Sequence, residues 1–160
     1  MSRPLALAVA IALSACGGGD ERPCDTDRTA IVAMVNAERA NGASCGVRGT
    51  YAPAGPVAWN ARLEAAAAAH SADMAARGEL SHFGSKGENL QARATAAGYT
   101  GILGENVAGG YDDAAAMVRD WMASDDHCAE VMQPRFKDVG LACVPSDGRY
   151  RSYWTMDLGG

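Results

Sequence analysis

The sequence predicts an α+β fold in which helices cover both faces of a small sheet, and three observations carry that expectation. Helical periodicity dominates the chain before Pro134, and two-residue alternation takes over after it. Many of the helices carry an apolar stripe, and a small sheet is the only hub against which they can all be buried.

Asp27 caps a first helix that runs to about Asn41 and stops at Gly42. Ile31, Val35 and the methylenes of Glu38 or Arg39 share one of its sides. Val57-Ala58-Trp59 reads as a brief extended approach, after which Asn60 caps a long alanine-rich helix to about Arg77, ended by Gly78. Its inner stripe is Leu63, Ala66, Ala67, His70 and Met74, and alanine there lets another element come close. A short helix spans Asn89 to Ala97 before Gly98. Asp112 or Asp113 caps a fourth helix, whose buried face is Ala114, Met117, Val118 and Trp121. Past Pro134, Val139, Leu141 and Cys143 alternate with Asp138, Gly140 and Ala142. Tyr150, Ser152, Trp154, Met156 and Leu158 alternate with Arg151, Tyr153, Thr155 and Asp157. The turn Pro145-Ser146-Asp147-Gly148 makes the two strands an antiparallel hairpin.

With 160 residues, 48% of them hydrophobic and 21% charged, the chain has material for one ordinary core. The net charge of -5 is dispersed, and no basic cluster interleaves with aromatic residues, which argues against nucleic acid as a partner. Residues 1–15 read as an export leader. Arg3 supplies a positive start, Leu5 to Leu13 is an apolar run too short to span a bilayer stably, and small residues precede the cut. Leu13-Ser14-Ala15-Cys16 looks like a bacterial lipobox, with Cys16 acylated and made the first residue of the mature chain. The alternative is a plain secretory leader cut after Ala15. Several acyl chains on Cys16 would attach the protein to a membrane of the cell envelope, with the outer membrane or periplasm favoured because Gly17 is not aspartate. Residues 16–25 form a polar tether and residues 26–160 the folded domain.

Four further cysteines, Cys24, Cys45, Cys128 and Cys143, imply two disulfides in an oxidising compartment. Three pairings are open. Proximity along the chain favours Cys24 with Cys45 and Cys128 with Cys143, the first closing a loop worth roughly 3 kcal/mol. Without a CxxC spacing, a four-cysteine zinc site is the weaker reading.

Three distant fragments hold the candidate chemistry: Ser81-His82-Phe83-Gly84, Gly104-Glu105-Asn106 and Asp126-His127-Cys128. With Val35-Asn36-Ala37-Glu38-Arg39, Trp59-Asn60-Ala61-Arg62-Leu63, Gly98-Tyr99, Val107-Ala108-Gly109-Gly110, Trp121-Met122-Ala123-Ser124 and Asp138-Val139-Gly140-Leu141-Ala142-Cys143, their order resembles the CAP superfamily from about Thr26 to Leu158. This is the group of cysteine-rich secretory proteins, antigen 5 and pathogenesis-related 1 proteins, also called the SCP-like extracellular domain. The resemblance implies a three-layer α-β-α sandwich with a small, mainly antiparallel central sheet, and a cleft lined by two histidines and two acids. His82, Glu105 and His127 match three of those four cleft residues. Ser124 stands where many eukaryotic relatives have the second acid. The resemblance also implies weak zinc binding by His82 and His127. Gly87-Glu88-Asn89 repeats part of the glycine-glutamate motif, but it opens a helix, where Glu88 serves the helix dipole and solvent.

Two imidazoles and a carboxylate can hold a divalent metal with an open water position. Equally, the carboxylate can raise the pKa of both imidazoles in a purely structural polar cluster, with Glu105 hydrogen-bonded to one of them. Ser124, His127 and Glu105 have the composition of a catalytic triad, but no nucleophile elbow precedes Ser124, which sits at a helix end where serine commonly bonds backbone. His70 reads as a satisfied core histidine. Trp59, Tyr99 and Trp154 read as core aromatics with polar handles, and Trp121 as a wall of the cleft. The expected protein is thus a lipid-anchored binding module for a divalent metal, a small lipid or an envelope component. The competing classes are a metal-assisted or serine-dependent hydrolase of peptide or envelope polymer, and a structural envelope protein with a vestigial cleft.

Overall fold

The computed structural model describes Cys24 and residues 26–160. The leader, Cys16 and all of the tether except Cys24 lie outside the described residues. Asp27 opens α1 (Arg28–Asn41) by accepting the Thr29 N–H at 2.9 Å, and Gly42 ends it at φ 71°. A small antiparallel pair, β1 (Ala43–Ser44) and β2 (Thr50–Tyr51), encloses a 3-10 turn at Gly46–Arg48. After β3 (Ala58–Trp59), Asn60 caps α2 (Ala61–Arg77), and left-handed Gly78 terminates it. Asn89 caps α3 (Leu90–Ala96), which leads into β4 (Leu103–Gly109). Asp113 caps α4 (Ala114–Ala123), and Ser124 alone separates it from α5 (Asp125–Met132). The chain closes with β5 (Asp138–Pro145) and β6 (Ser152–Gly159). Among the described residues no helix is long and apolar enough to cross a membrane.

The four-stranded sheet has the order β3-β5-β6-β4, antiparallel except for β3 with β5. Helices flank both of its faces, as expected for an α+β sandwich. Alternation along β6 sorts the two faces. Trp154, Met156 and Leu158 join Ile31, Val35, Trp121 and Val131 in a large apolar core under α1, α4 and α5. Thr155 points the other way and accepts the Ser71 hydroxyl of α2 at 2.8 Å. All eight β6 residues are buried, so Tyr153, Thr155 and Asp157 face α2 rather than solvent. The strand starts at Ser152, leaving Tyr150 and Arg151 in the turn. A Cβ at Gly140 of β5 would collide with the α2 backbone at Leu63 and Glu64, so helix and sheet touch there because the glycine leaves the space.

Both disulfides differ from the expected pairing. Cys24 bonds Cys143 and Cys45 bonds Cys128, with Cα separations of 5.3 and 5.4 Å. Closeness in sequence misleads because α1 intervenes. Its 14 residues carry the chain about 21 Å along the helix axis, well beyond what a disulfide spans. Cys45 therefore emerges beside α5, and Cys24 stays by the far end of β5.

Arg39 is fully buried on α1 and makes no salt bridge to a carboxylate among the described residues. Its guanidinium donates to four carbonyls: Gly55 at 2.8 Å, Val131 at 2.6 Å, Gln133 at 3.0 Å and Phe136 at 3.2 Å. The middle two belong to the last turn of α5 and its cap, where helix carbonyls lack internal partners. Desolvation lowers the Arg39 pKa, and the four acceptors offset that cost. Replacing it by methionine keeps much of the stem but strands the acceptors. Arg39→Met is expected to lower the unfolding free energy in urea by about 3 kcal/mol or more; a loss below about 1 kcal/mol would mean that water takes over the carbonyls.

Candidate functional site

The loop between α2 and α3 has no regular structure, so side chains hold it. His70 Nε2 lies 2.7 Å from the Ser81 carbonyl, Arg77 donates to the Phe83 carbonyl at 2.9 Å, and Arg93 donates to the His82 carbonyl at 3.1 Å. Three successive carbonyls are thereby fixed, and the His82 ring between them is placed over β4. There its Nδ1 meets Glu105 Oε1 at 2.8 Å. Arg93 Nη2 donates to the other Glu105 oxygen, and His70 Nε2 stands 3.9 Å from it. The Glu105 side chain is 3% exposed and that of His82 54%, so the buried carboxylate orients an imidazole open to solvent.

The opposite wall is α5. His127 and Glu130 are spaced three apart on this helix, while Cys128, Val131 and Met132 are buried. Asn106 of β4 donates to the His127 carbonyl at 3.2 Å, and the Trp121 ring lies 6.3 Å from the His127 ring. Between the loop and α5, at the β4 edge of the sheet, opens a cleft of about 700 Å³ whose lining includes His82, Glu105, Ser124, His127 and Glu130. All four residues expected in the cleft are present.

Glu105 is hydrogen-bonded to one of the two cleft imidazoles. Glu105 binds His82 and approaches His70, but no hydrogen bond joins it to His127 among the described residues. Glu105 is the third residue of its strand and His127 the third of its helix, while His82 lies in the loop. Ser124 makes no capping bond through its side chain, contrary to the expected backbone role. Trp121 is buried in the core and backs the cleft rather than lining it. Glu88 directly precedes the α3 cap, and its side chain accepts from the Lys86 N–H in the loop. His70 has only one ring nitrogen partnered, its Nδ1 being unpaired among the described residues.

Glu130 was missed because the expected helix ended at Ser124. Yet Ser124 followed by two aspartates, then Cys128, Val131 and Met132 at helical spacing, is a readable helix signal. The Glu130 carboxylate sits above Gly104, where a Cβ would strike it. The cleft therefore does hold a second acid, one helical turn beyond His127. Arg93, the cation that neutralises Glu105, was missed too.

The electrostatics separate the two histidines. The hydrogen bond to Glu105 raises the pKa of His82 despite some burial. Burial, and then the charge of His82, lower that of His127. Burial works to raise the pKa of Glu105, but the His82 hydrogen bond and the charges of Arg93 and His70 outweigh it and hold the group below the usual carboxylate range. Burial raises Glu130. With Nδ1 engaged, His82 has Nε2 as its free ring nitrogen, the arrangement in which a carboxylate orients a metal-binding imidazole. The donors fit a metal in kind, but among the described residues no three acidic, histidine or cysteine side chains are gathered as a ligand set.

The sequence model of the cysteine-rich secretory protein family, CAP, matches residues 32–158. No curated protein sequence matches the chain. Among solved structures, an extracellular protein of Bacillus anthracis containing an SCP domain superposes with a TM-score of 0.59 at 23% identity, over 66% of this chain and 34% of that one. This chain thus spans about a third of that protein's length. An outer surface protein of Borrelia burgdorferi gives 0.62 at 14% identity, over 85% and 95%. NaASP2, solved with Zn2+, gives 0.55 at 15%, over 88% and 82%.

The buried histidine makes stability depend on pH. Burial lowers the pKa of His70, so the unfolded chain takes up a proton near 6.5 that the folded protein resists. Stability from this group is present above about pH 6.5 and is lost as the pH falls below it. His127 acts in the same sense, and His82, whose pKa is raised, in the opposite one. His70→Gln, which keeps a donor for Ser81 but cannot titrate, is expected to lose less of its urea midpoint between pH 7 and 5 than the parent; equal losses would refute the assignment.

Proposed function

The chain belongs to the cysteine-rich secretory protein family, and on that premise we propose that it is an exported binding module whose cleft takes a divalent metal, zinc first, through His82 and His127. The observation that carries this reading is the buried Glu105 carboxylate holding His82 by Nδ1, with Nε2 left as a donor. The lowered pKa of His127 favours the neutral imidazole that a metal requires. Glu130, which lines the same cleft, would offer an oxygen ligand. Because the donors are not gathered in advance, the affinity is expected to be weak. The zinc in the NaASP2 structure supports the choice of metal. A small lipid or an envelope component is the other ligand class for the open cleft, whose lining also includes Tyr51, Leu90 and Leu103. Serine-dependent hydrolysis has less support, since no hydrogen bond joins Ser124 to His127 among the described residues.

Export is supported by the two disulfides, which persist in oxidising compartments, and by the sequence of residues 1–16. The extracellular and outer-surface descriptions of the Bacillus and Borrelia proteins point the same way. Attachment to the envelope is through acylated Cys16. Intact mass of the protein purified from its own membranes is expected to show an acylated N-terminal cysteine, and an unmodified Cys16 would refute the anchor.

Calorimetric titration with zinc tests the cleft. One-to-one binding is expected in the parent and in Ser124→Ala, and none in the His82→Ala/His127→Ala double variant. Binding is also expected to weaken as the pH falls and protons compete for His82. No heat with the parent would move the assignment to the apolar ligand or the envelope component, and zinc-dependent heat retained in the double variant would place the metal elsewhere.

A further inference from the structure

Asp157 has no part in the cleft as described, yet it stands directly behind it. Strand register sets it opposite Glu105 across β4 and β6, on the same face of the sheet. It is 0% exposed, and neither of its carboxyl oxygens has a hydrogen-bond partner among the described residues. On its other side, register places Gly140 of β5, which brings no side chain.

The ionisable groups that act on it are Glu105 from β4 and Arg93 from α3, and His70 of α2 stands 3.9 Å from Glu105 behind them. Neither basic group donates to Asp157, although Arg93 Nε and His70 Nδ1 have no partner among the described residues. Arg93 spends Nη1 on the His82 and Glu88 carbonyls and Nη2 on Glu105. His70 Nε2 is taken by the Ser81 carbonyl. The donors that do reach a carboxylate here, His82 and Arg93, both serve Glu105, and Asp157 has none. Two adjacent carboxylates in a water-excluded site cannot both stay ionised, and the charge settles on the one that the cations serve.

We propose that Asp157 is a carboxylic acid at neutral pH whose O–H donates to Glu105, and that it is the positioning residue that holds Glu105 to His82. Burial and the Glu105 charge push its pKa well above the ordinary carboxylate range, in agreement with that geometry. The hydrogen bond is charge-assisted, an O–H donor to an ionised acceptor, and therefore strong. It gives the Glu105 carboxylate a third donor besides His82 and Arg93. The carboxylate is thereby pinned from behind, which keeps the proton of His82 on Nδ1 and Nε2 directed to the cleft. The inference deepens the reading of the cleft given above, in which His82 is a ligand, but its test needs no metal.

The test is infrared spectroscopy of the metal-free protein at pH 7, with histidine-selective NMR beside it. The parent is expected to show the carbonyl stretch of a protonated carboxyl group, and Asp157→Asn to lose it. Absence of that band in the parent, or its survival in Asp157→Asn, overturns the proposal. Asp157→Asn retains an N–H donor, so the low-field Nδ1–H signal of His82 is expected to persist in it, assigned by its loss in His82→Ala. Asp157→Leu has no donor, and the signal is expected to shift or broaden away. A His82 signal unchanged in Asp157→Leu would overturn the positioning role. If Asp157→Leu does not fold, loss of the His82 signal in the well-folded asparagine variant has the same force, because its donor should have preserved the contact. Zinc binding enters none of these readouts, so failure of the metal assignment and failure of this one remain distinct.

Discussion

The burial of Arg39 is the constraint on which the cleft depends. A guanidinium sealed from water needs acceptors for its donors, and the chain supplies carbonyls from the loop at Gly55 and from the end of α5. Helix α5 is short, eight residues, and has little stability of its own. It is held in place by this charge at its C-terminal end, by the Cys45–Cys128 bond and by Asn106 on its carbonyl side. One wall of the cleft thus rests on a charged side chain that reaches it from α1, far away in sequence.

The two faces of the sheet are built on different physics, and the cleft lies where they meet. Under α1, α4 and α5 the interior is apolar, with Trp154, Met156 and Leu158 in close packing. Under α2 it is narrow and polar, because Ala66, Ala67 and Gly140 admit the helix close to the strands and Ser71, Thr155, His70, Glu105 and Asp157 fill what remains. Apolar packing tolerates small shifts, whereas a buried polar network must be satisfied at fixed distances. Glu105, on the edge strand, therefore draws its orientation from the polar face and presents the result to solvent through His82.

Much of the fold was legible in the sequence because helix ends are written locally. Asp27 and Asn60 each cap the helix expected of them, and Asp113 is the one of two expected aspartates that caps α4. Asn89 caps the short helix it was expected to begin, and glycines 42 and 78 end two of the helices. The hairpin was legible from its alternation. Strand β4 was not, because it is glycine-rich and carries Glu105 and Asn106 at buried positions, so no apolar alternation marks it. Its cause is tertiary, pairing with β6 along its whole length. Helix α5 was hidden by Ser124, which reads as the end of one helix and is also the start of the next. The cleft residues His82, Glu105, Ser124 and His127 were found by resemblance in motif order. Glu130 and Arg93 were not, since each acquires its role only when α5 and α3 are brought against β4. The disulfides show the same limit from the other side: distance along the chain is a poor guide once a rigid helix lies between two cysteines.

The Cys24–Cys143 bond also determines how the domain takes load. The chain ahead of Cys24 is joined covalently to β5, one strand in from the sheet edge, and not merely through α1. Tension applied to that segment enters the sheet directly, where the backbone hydrogen bonds of β5 share it, and it cannot peel α1 away turn by turn. Strand register puts Cys143 level with Ala108, and Gly140 level with Glu105, so the point of attachment and the cleft are set apart along the strands. A pull on Cys24 would therefore enter β5 three residues along from the position level with Glu105, on the side away from the histidines of the cleft.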